Sequence, residues 1–120
     1  MYVRTRNCDR VAILDINGRV VIGDALYILR RNVREALNNG YKQMVFNMEG
    51  VSYIDSAGIG ELVSCFTTVT TQGGNLKLIK TTEKVKDLLH MTKLLTIFES
   101  FLTEEEALAS FSHAPDPPQE

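Results

Sequence analysis

Ser56 is the residue of this 120-residue chain with the clearest claim to chemistry. It follows an acid in the run Val51-Ser52-Tyr53-Ile54-Asp55-Ser56-Ala57-Gly58-Ile59-Gly60-Glu61-Leu62, where apolar spacing changes to that of a helix. Three roles suit a serine there. It could be an N-cap, its hydroxyl bonded to a first-turn N–H. It could be a phosphoacceptor, since the free N–H groups and dipole of a helix start stabilise an anion. Phosphate would add roughly 1.5 to 2 negative charges without melting the helix. It could be a nucleophile, but the hydrolase elbow G-x-S-x-G would need glycine where Ile54 stands. The only histidines, His90 and His113, supply no assignable base. Gly58 and Gly60 each cost up to about 1 kcal/mol relative to alanine in a helix. Either close packing of the helix start or close approach of a partner's backbone would offset that cost.

Other candidates are weaker. No G-x-x-x-x-G-K-[ST] phosphate loop occurs. Cys8 and Cys65 form no C-x-x-C pair, so neither a metal site nor a redox dithiol is supported, and no cofactor is expected. Cys65 falls in an apolar helical pattern and reads as core. Arg30, Arg31 and Arg34 cluster on one predicted helix, either as a solvated face or as a partner site. Thirteen basic against fifteen acidic residues leave a net charge of -2, which argues against nucleic-acid binding. The arginine-bearing first ten residues lack the apolar stretch of a signal sequence, and no apolar run approaches the ~20 residues that span a bilayer. A cytoplasmic protein without membrane insertion is expected.

The elements that must position Ser56 follow from periodicity. Val11–Ile16 and Arg19–Ile22 flank Asn17-Gly18, the strongest two-residue hairpin signal, which predicts an antiparallel pair. Asp24 is a candidate cap for a helix bearing Leu26, Leu29, Val33 and Leu37, closed by Asn38-Asn39-Gly40. Met44–Met48 reads as a strand and Glu49–Ile54 as a loop. A second helix from Ala57 carries Ile59, Leu62, Phe66 and Val69, and Gly73-Gly74 breaks it. Leu76–Ile79 is a strand. Thr81 or Thr82 caps a helix with Val85, Leu88 and Leu89. Thr96–Phe98 is a candidate edge strand, and Thr103 caps a last helix whose first turn is Glu104–Glu106. The order β-β-α-β-α-β-α-(β)-α predicts one α/β domain over residues 1–112, built on a mixed four- to five-stranded sheet. Residues 113–120, with Pro115, Pro117 and Pro118, are expected to be a disordered tail.

Asp55-Ser56-Ala57-Gly58-Ile59-Gly60 resembles the D-S-[ST]-G-[LI]-G signature of STAS domains of the bacterial anti-sigma factor antagonist type. The resemblance runs from about Val11 to Phe111 and includes Gly18, Gly23-Asp24-Ala25 and Gly73-Gly74-Asn75. It implies helices packed mainly on one face of the sheet, and a non-enzymatic switch in which Ser56 is the phosphoacceptor. The unphosphorylated form would bind an anti-sigma factor serine kinase of the GHKL type and free a sigma factor. Phosphorylation would end that complex and a serine phosphatase would restore it. Gly23, Asp24, Asp55, Ser56, Ala57, Gly58 and Ile59 are the implied partner-binding residues. Ala57 replaces the usual second Ser or Thr, and Val21 stands where many members carry an acid. The alternative is a non-switching STAS subunit of a stressosome-like or lipid-transport assembly. A monomer or weak dimer is expected.

Overall fold

Val11 and Ile13 alternate with Ala12, Leu14 and Ile16, so this strand buries both faces, as a central strand between two layers must. The computed structural model describes residues 1–112, so the expected tail lies outside the described residues. The elements are β1 (Tyr2–Cys8), β2 (Val11–Val20), α1 (Asp24–Asn38), β3 (Gln43–Ile54), α2 (Ser56–Thr71), β4 (Asn75–Ile79), α3 (Glu83–Met91), β5 (Ser100–Phe101) and α4 (Glu104–Ser112), with a 3-10 turn over Leu95–Ile97. The five strands form one mixed sheet in the order β1-β2-β3-β4-β5. β1 is antiparallel to β2, and the other pairs are parallel. The expected α/β fold is thus present.

The helices divide unequally between the faces. Leu29 and Val33 of α1, Leu62 and Val69 of α2, and Val85 and Leu89 of α3 pack on Ala12, Leu14, Met44, Phe46 and Leu78. On the other face α4 covers Val11, Ile13, Val45 and Ile79 with Ala107, flanked by Leu108 and Phe111. Thr82 caps α3 by accepting from Val85 N–H at 3.4 Å. Thr103 caps α4, accepting from Glu106 N–H at 3.1 Å, while Glu106 reaches back to Leu102 N–H at 3.2 Å.

Four local expectations are corrected. Asn17-Gly18 is not a turn: β2 runs through it with register shifts against β3, and Gly18 takes φ +108°. The hairpin lies earlier, between β1 and β2, where Asp9 and Arg10 adopt φ 48° and 68°. Both central residues of a type I′ turn need positive φ, and here a non-glycine pair supplies it. Glu49–Ile54 is the second half of β3 rather than a loop, because Gly50 to Ile54 continue pairing with Asn17 to Val20. Asp24 is the first helical residue of α1 and makes no cap bond; Gly23, φ 118°, holds the cap position. Thr96–Phe98 forms part of the 3-10 turn and its exit, and the edge strand is the two residues of β5.

An ionic cluster ties α4 and the hairpin to the sheet. Asp15 accepts from Arg6 Nε and Nη2 at 2.7 and 2.9 Å and from Asn47 Nδ2 at 2.8 Å, and Arg6 Nη2 also reaches Glu104 at 2.8 Å. The Arg6 guanidinium, foremost among its neighbours, holds the Asp15 carboxyl below the ordinary value of 3.8. A depressed folded-state pKa stabilises the fold above the ordinary value, and that contribution is lost as pH falls through the depressed one. Asp15→Asn should therefore lower stability at pH 7 and flatten its decline below about pH 4, measured by urea unfolding across pH.

The two helix glycines have different reasons to be glycine. A Cβ on Gly58 would collide with the backbone carbonyl of Val20 and with Ile54 Cγ1, whereas a Cβ on Gly60 would meet nothing within 4 Å. Gly58→Ala should cost ~1–3 kcal/mol or more through overpacking. Gly60→Ala should be neutral or stabilise by up to about 1 kcal/mol. Thermal melts of the two variants compare these outcomes directly.

Candidate functional site

β3 delivers its last residue, Ile54, into the core, and the chain turns at Asp55 into α2. Asp55, extended at φ -101° and ψ -177°, is the N-cap: its Oδ1 accepts from Gly58 N–H at 2.8 Å. Its Oδ2 accepts from Ile22 N–H at 2.9 Å, in the loop between β2 and α1. One carboxylate thus binds two loops at the carboxyl ends of adjacent parallel strands, and Asp55 N–H adds a bond to the Val20 carbonyl at 3.3 Å. The Ile22 bond, then the Gly58 bond, hold the Asp55 carboxyl below the usual aspartate range, so it is ionised at neutral pH.

Asp55, not Ser56, fills the capping role. Ser56 is the first helical residue, exposed, and its hydroxyl makes no hydrogen bond among the described residues. Asp55 supplies the cap, so the serine oxygen is left facing solvent at the positive end of a sixteen-residue helix. Among the described residues the one histidine, His90, lies exposed in the last turn of α3, which runs away from this end of the sheet.

The other expected residues sort by exposure. Gly23 and Asp24 lie exposed in the loop held by Asp55, and Ala57 is half-buried. Gly58 and Ile59 face inward, so they shape the helix start rather than present side chains. Gly60 is exposed beside Ser56 and opens a bare patch of helix backbone.

Sequence reasoning missed three features around the site: an exposed apolar pair, a cation–π cluster and a buried ion pair. Ile22 (76% exposed) and Tyr27 (63%) are large apolar side chains left in water on the α1 side. Ile22 read as a strand end; an apolar residue directly before Gly-Asp was the available signal. On the opposite side Arg19 and Lys84 stand 5.5 and 5.1 Å from the Tyr53 ring centroid. The third is Glu61, buried on α2 at 5% exposure and clamped by Arg30 of α1 through Oε1–Nη2 at 2.6 Å and Oε2–Nε at 3.3 Å. Burial, then the Glu61 charge, pushes the adjacent Cys65 thiol up, consistent with the core role expected of it. Asp55→Ala should accelerate hydrogen exchange at Ile22 and Gly58 together, while Ser56→Ala leaves both protected, read by amide exchange in NMR.

Comparison with known proteins agrees with this geometry. The family model described as the STAS domain matches residues 2–107. A provisionally named anti-sigma factor antagonist of Thermotoga maritima is 31% identical over 100 residues, covering 83% of this chain and 88% of that protein. A crystal structure of such a Thermotoga maritima protein superposes with a TM-score of 0.85 at 27% identity, covering 92% of this chain and 95% of that one. The anti-sigma factor antagonist SpoIIAA in its unphosphorylated form shares the fold, with a TM-score of 0.78 at 19% identity over 95% of this chain and 99% of that one. Its phosphorylated form, from Bacillus, gives 0.70 at 19% identity over 91% and 98%. With a mixed sheet, three helices packed on one face and a D-S-x-G-x-G helix start, the chain belongs to the STAS domain family, among the anti-sigma factor antagonists.

Proposed function

We propose that this chain is a non-enzymatic switch. Its unphosphorylated form binds an anti-sigma factor serine kinase of the GHKL type and releases a sigma factor, and phosphorylation of Ser56 ends that complex until a serine phosphatase restores it. One observation carries the reading: the Ser56 hydroxyl is exposed at a helix start whose cap is already supplied by Asp55. A hydroxyl that capped the helix would have to break a bond to become an ester. This one does not.

The docking face consists of Gly23, Asp24, Asp55, Ser56 and Ala57, with Gly58 and Ile59 supporting it from within. Ile22 and Tyr27 add apolar anchors of the kind that dominate interface energetics. Gly60 lets a partner's backbone approach α2 closely, which accounts for a glycine that packing inside the chain does not require.

The switch is electrostatic. A phosphoryl group on Ser56 adds a near-dianion beside the ionised Asp55 carboxylate. The α2 dipole tolerates it, so the fold survives. A partner surface fitted to a neutral hydroxyl has no countercharge for it, and burying unpaired charge costs several kcal/mol.

Ser56→Glu and Ser56→Asp should weaken kinase binding by about tenfold or more while far-UV circular dichroism stays unchanged. The kinase is obtained by pull-down with the unphosphorylated protein and ATP is then supplied. Intact mass should rise by one phosphoryl group in the wild type and not in Ser56→Ala. A phosphomimic that binds as tightly as wild type, or a phosphoryl group found elsewhere, would overturn the reading.

A further inference from the structure

A cleft runs between α1 and α2 from Arg30 and Glu61 to Asn38 and Gln72. It holds two adjoining depressions, of about 250 and 270 Å³, that share Arg34 and Thr68. Val33, Leu37 and Cys65 give its floor apolar patches, and Ser64, Thr68 and Gln72 line the α2 wall with short polar groups. At 1.5 Å per residue the α2 wall is roughly 20 Å long.

The charges along it do not cancel. Arg30 is spent on Glu61, the one acid that lines the two depressions among the described residues. Arg31 stands 6.0 Å from the Tyr27 ring centroid and Arg34 makes no ion pair among the described residues. Glu35 lines the opposite flank of α1, towards Thr5 and Asn7 of β1, and leaves Arg34 uncompensated. Arg34 is therefore an unpaired cation on the wall of the cleft.

We infer that this cleft is the second half of the docking face and receives an acidic segment of the partner protein, a carboxylate side chain entering the depressions to meet Arg34. The inference rests on the Ser56 surface being a docking face, since both lie on the same helices: Ser56 opens α2, and Arg34 of α1 and Thr68 of α2 line the cleft further along. A protein segment fits better than nucleic acid: one uncompensated guanidinium is too few to hold a phosphate backbone, whereas depressions of side-chain size with mixed apolar and hydroxyl lining suit peptide side chains. Arginine, with its planar fork of donors, is the residue that grips carboxylates in pairs.

The test uses the full isotope-labelled chain and a capped fifteen-residue helical peptide with glutamate at every third and fourth position. Amide shifts should concentrate at Arg30, Arg34, Ser64 and Thr68. Arg34→Glu should weaken binding by about tenfold or more, and Arg10→Glu, an equal single-site charge reversal on the hairpin, should leave it within about twofold. Circular dichroism confirms that the variants fold, as both arginines are exposed. Shifts centred on Arg4, Arg6 and Arg10, equal loss in the Arg10→Glu control, or no saturable binding would overturn the cleft assignment. So would single-stranded DNA producing the same shifts at lower concentration than the peptide. Ser56→Ala should bind the peptide as wild type does. A failed titration with Ser56 phosphorylation intact removes the cleft and keeps the switch, while a Ser56 that no kinase modifies removes the switch whatever the peptide does.

Discussion

Everything at the carboxyl end of the sheet depends on how one carboxylate divides its two oxygens. Asp55 gives one to Gly58 N–H and the other to Ile22 N–H, and so fixes the start of α2 and the β2–α1 loop as a single surface. The Asp55 N–H bond to the Val20 carbonyl is the backbone counterpart of that link. The arrangement also decides what Ser56 is free to do. With the cap supplied by its neighbour, the serine carries no structural duty and can change charge without unfolding the helix that presents it.

The close approach of Gly58 to Val20 is the steric counterpart of that bond. α2 must start hard against the end of β2 for the Asp55 carboxylate to span the gap, and only a residue without a side chain allows it. The signature thus combines three separate constraints: an acid for the link, a glycine for the approach, and a hydroxyl between them that neither constraint uses. Gly60 stands apart from these: a Cβ there would meet nothing within 4 Å, so packing inside the chain does not call for glycine.

Much of this was legible in the residues. The helices declared themselves by spacing, and Ser56 stood out because an acid and two glycines surround it at a helix start. The errors share one physical origin. Asn17-Gly18 has the local chemistry of a turn, yet β3 extends far enough to pair with the chain beyond it, and pairing along twelve residues outweighs a turn preference worth a few tenths to one kcal/mol. The same long β3 turned an expected loop into strand. The true hairpin at Asp9-Arg10 lacks glycine and so gave no signal. The Asp55–Ile22 bond and the Arg30–Glu61 clamp join residues 33 and 31 positions apart, and no local pattern encodes such pairings.

β1 closes one side of the sheet, and its outward backbone groups are unpaired among the described residues. Such a border invites a neighbouring chain to add its own strand, the usual beginning of unwanted fibres. Here the exposed Arg4 rises along it and the exposed Arg10 stands at its hairpin, while Arg6 is held by Asp15 and Glu104, so a second molecule aligning there would bring arginine against arginine. At the opposite side β5 offers only two residues to copy. A protein built to meet partners through its loops and helices is thereby discouraged from meeting itself through its sheet.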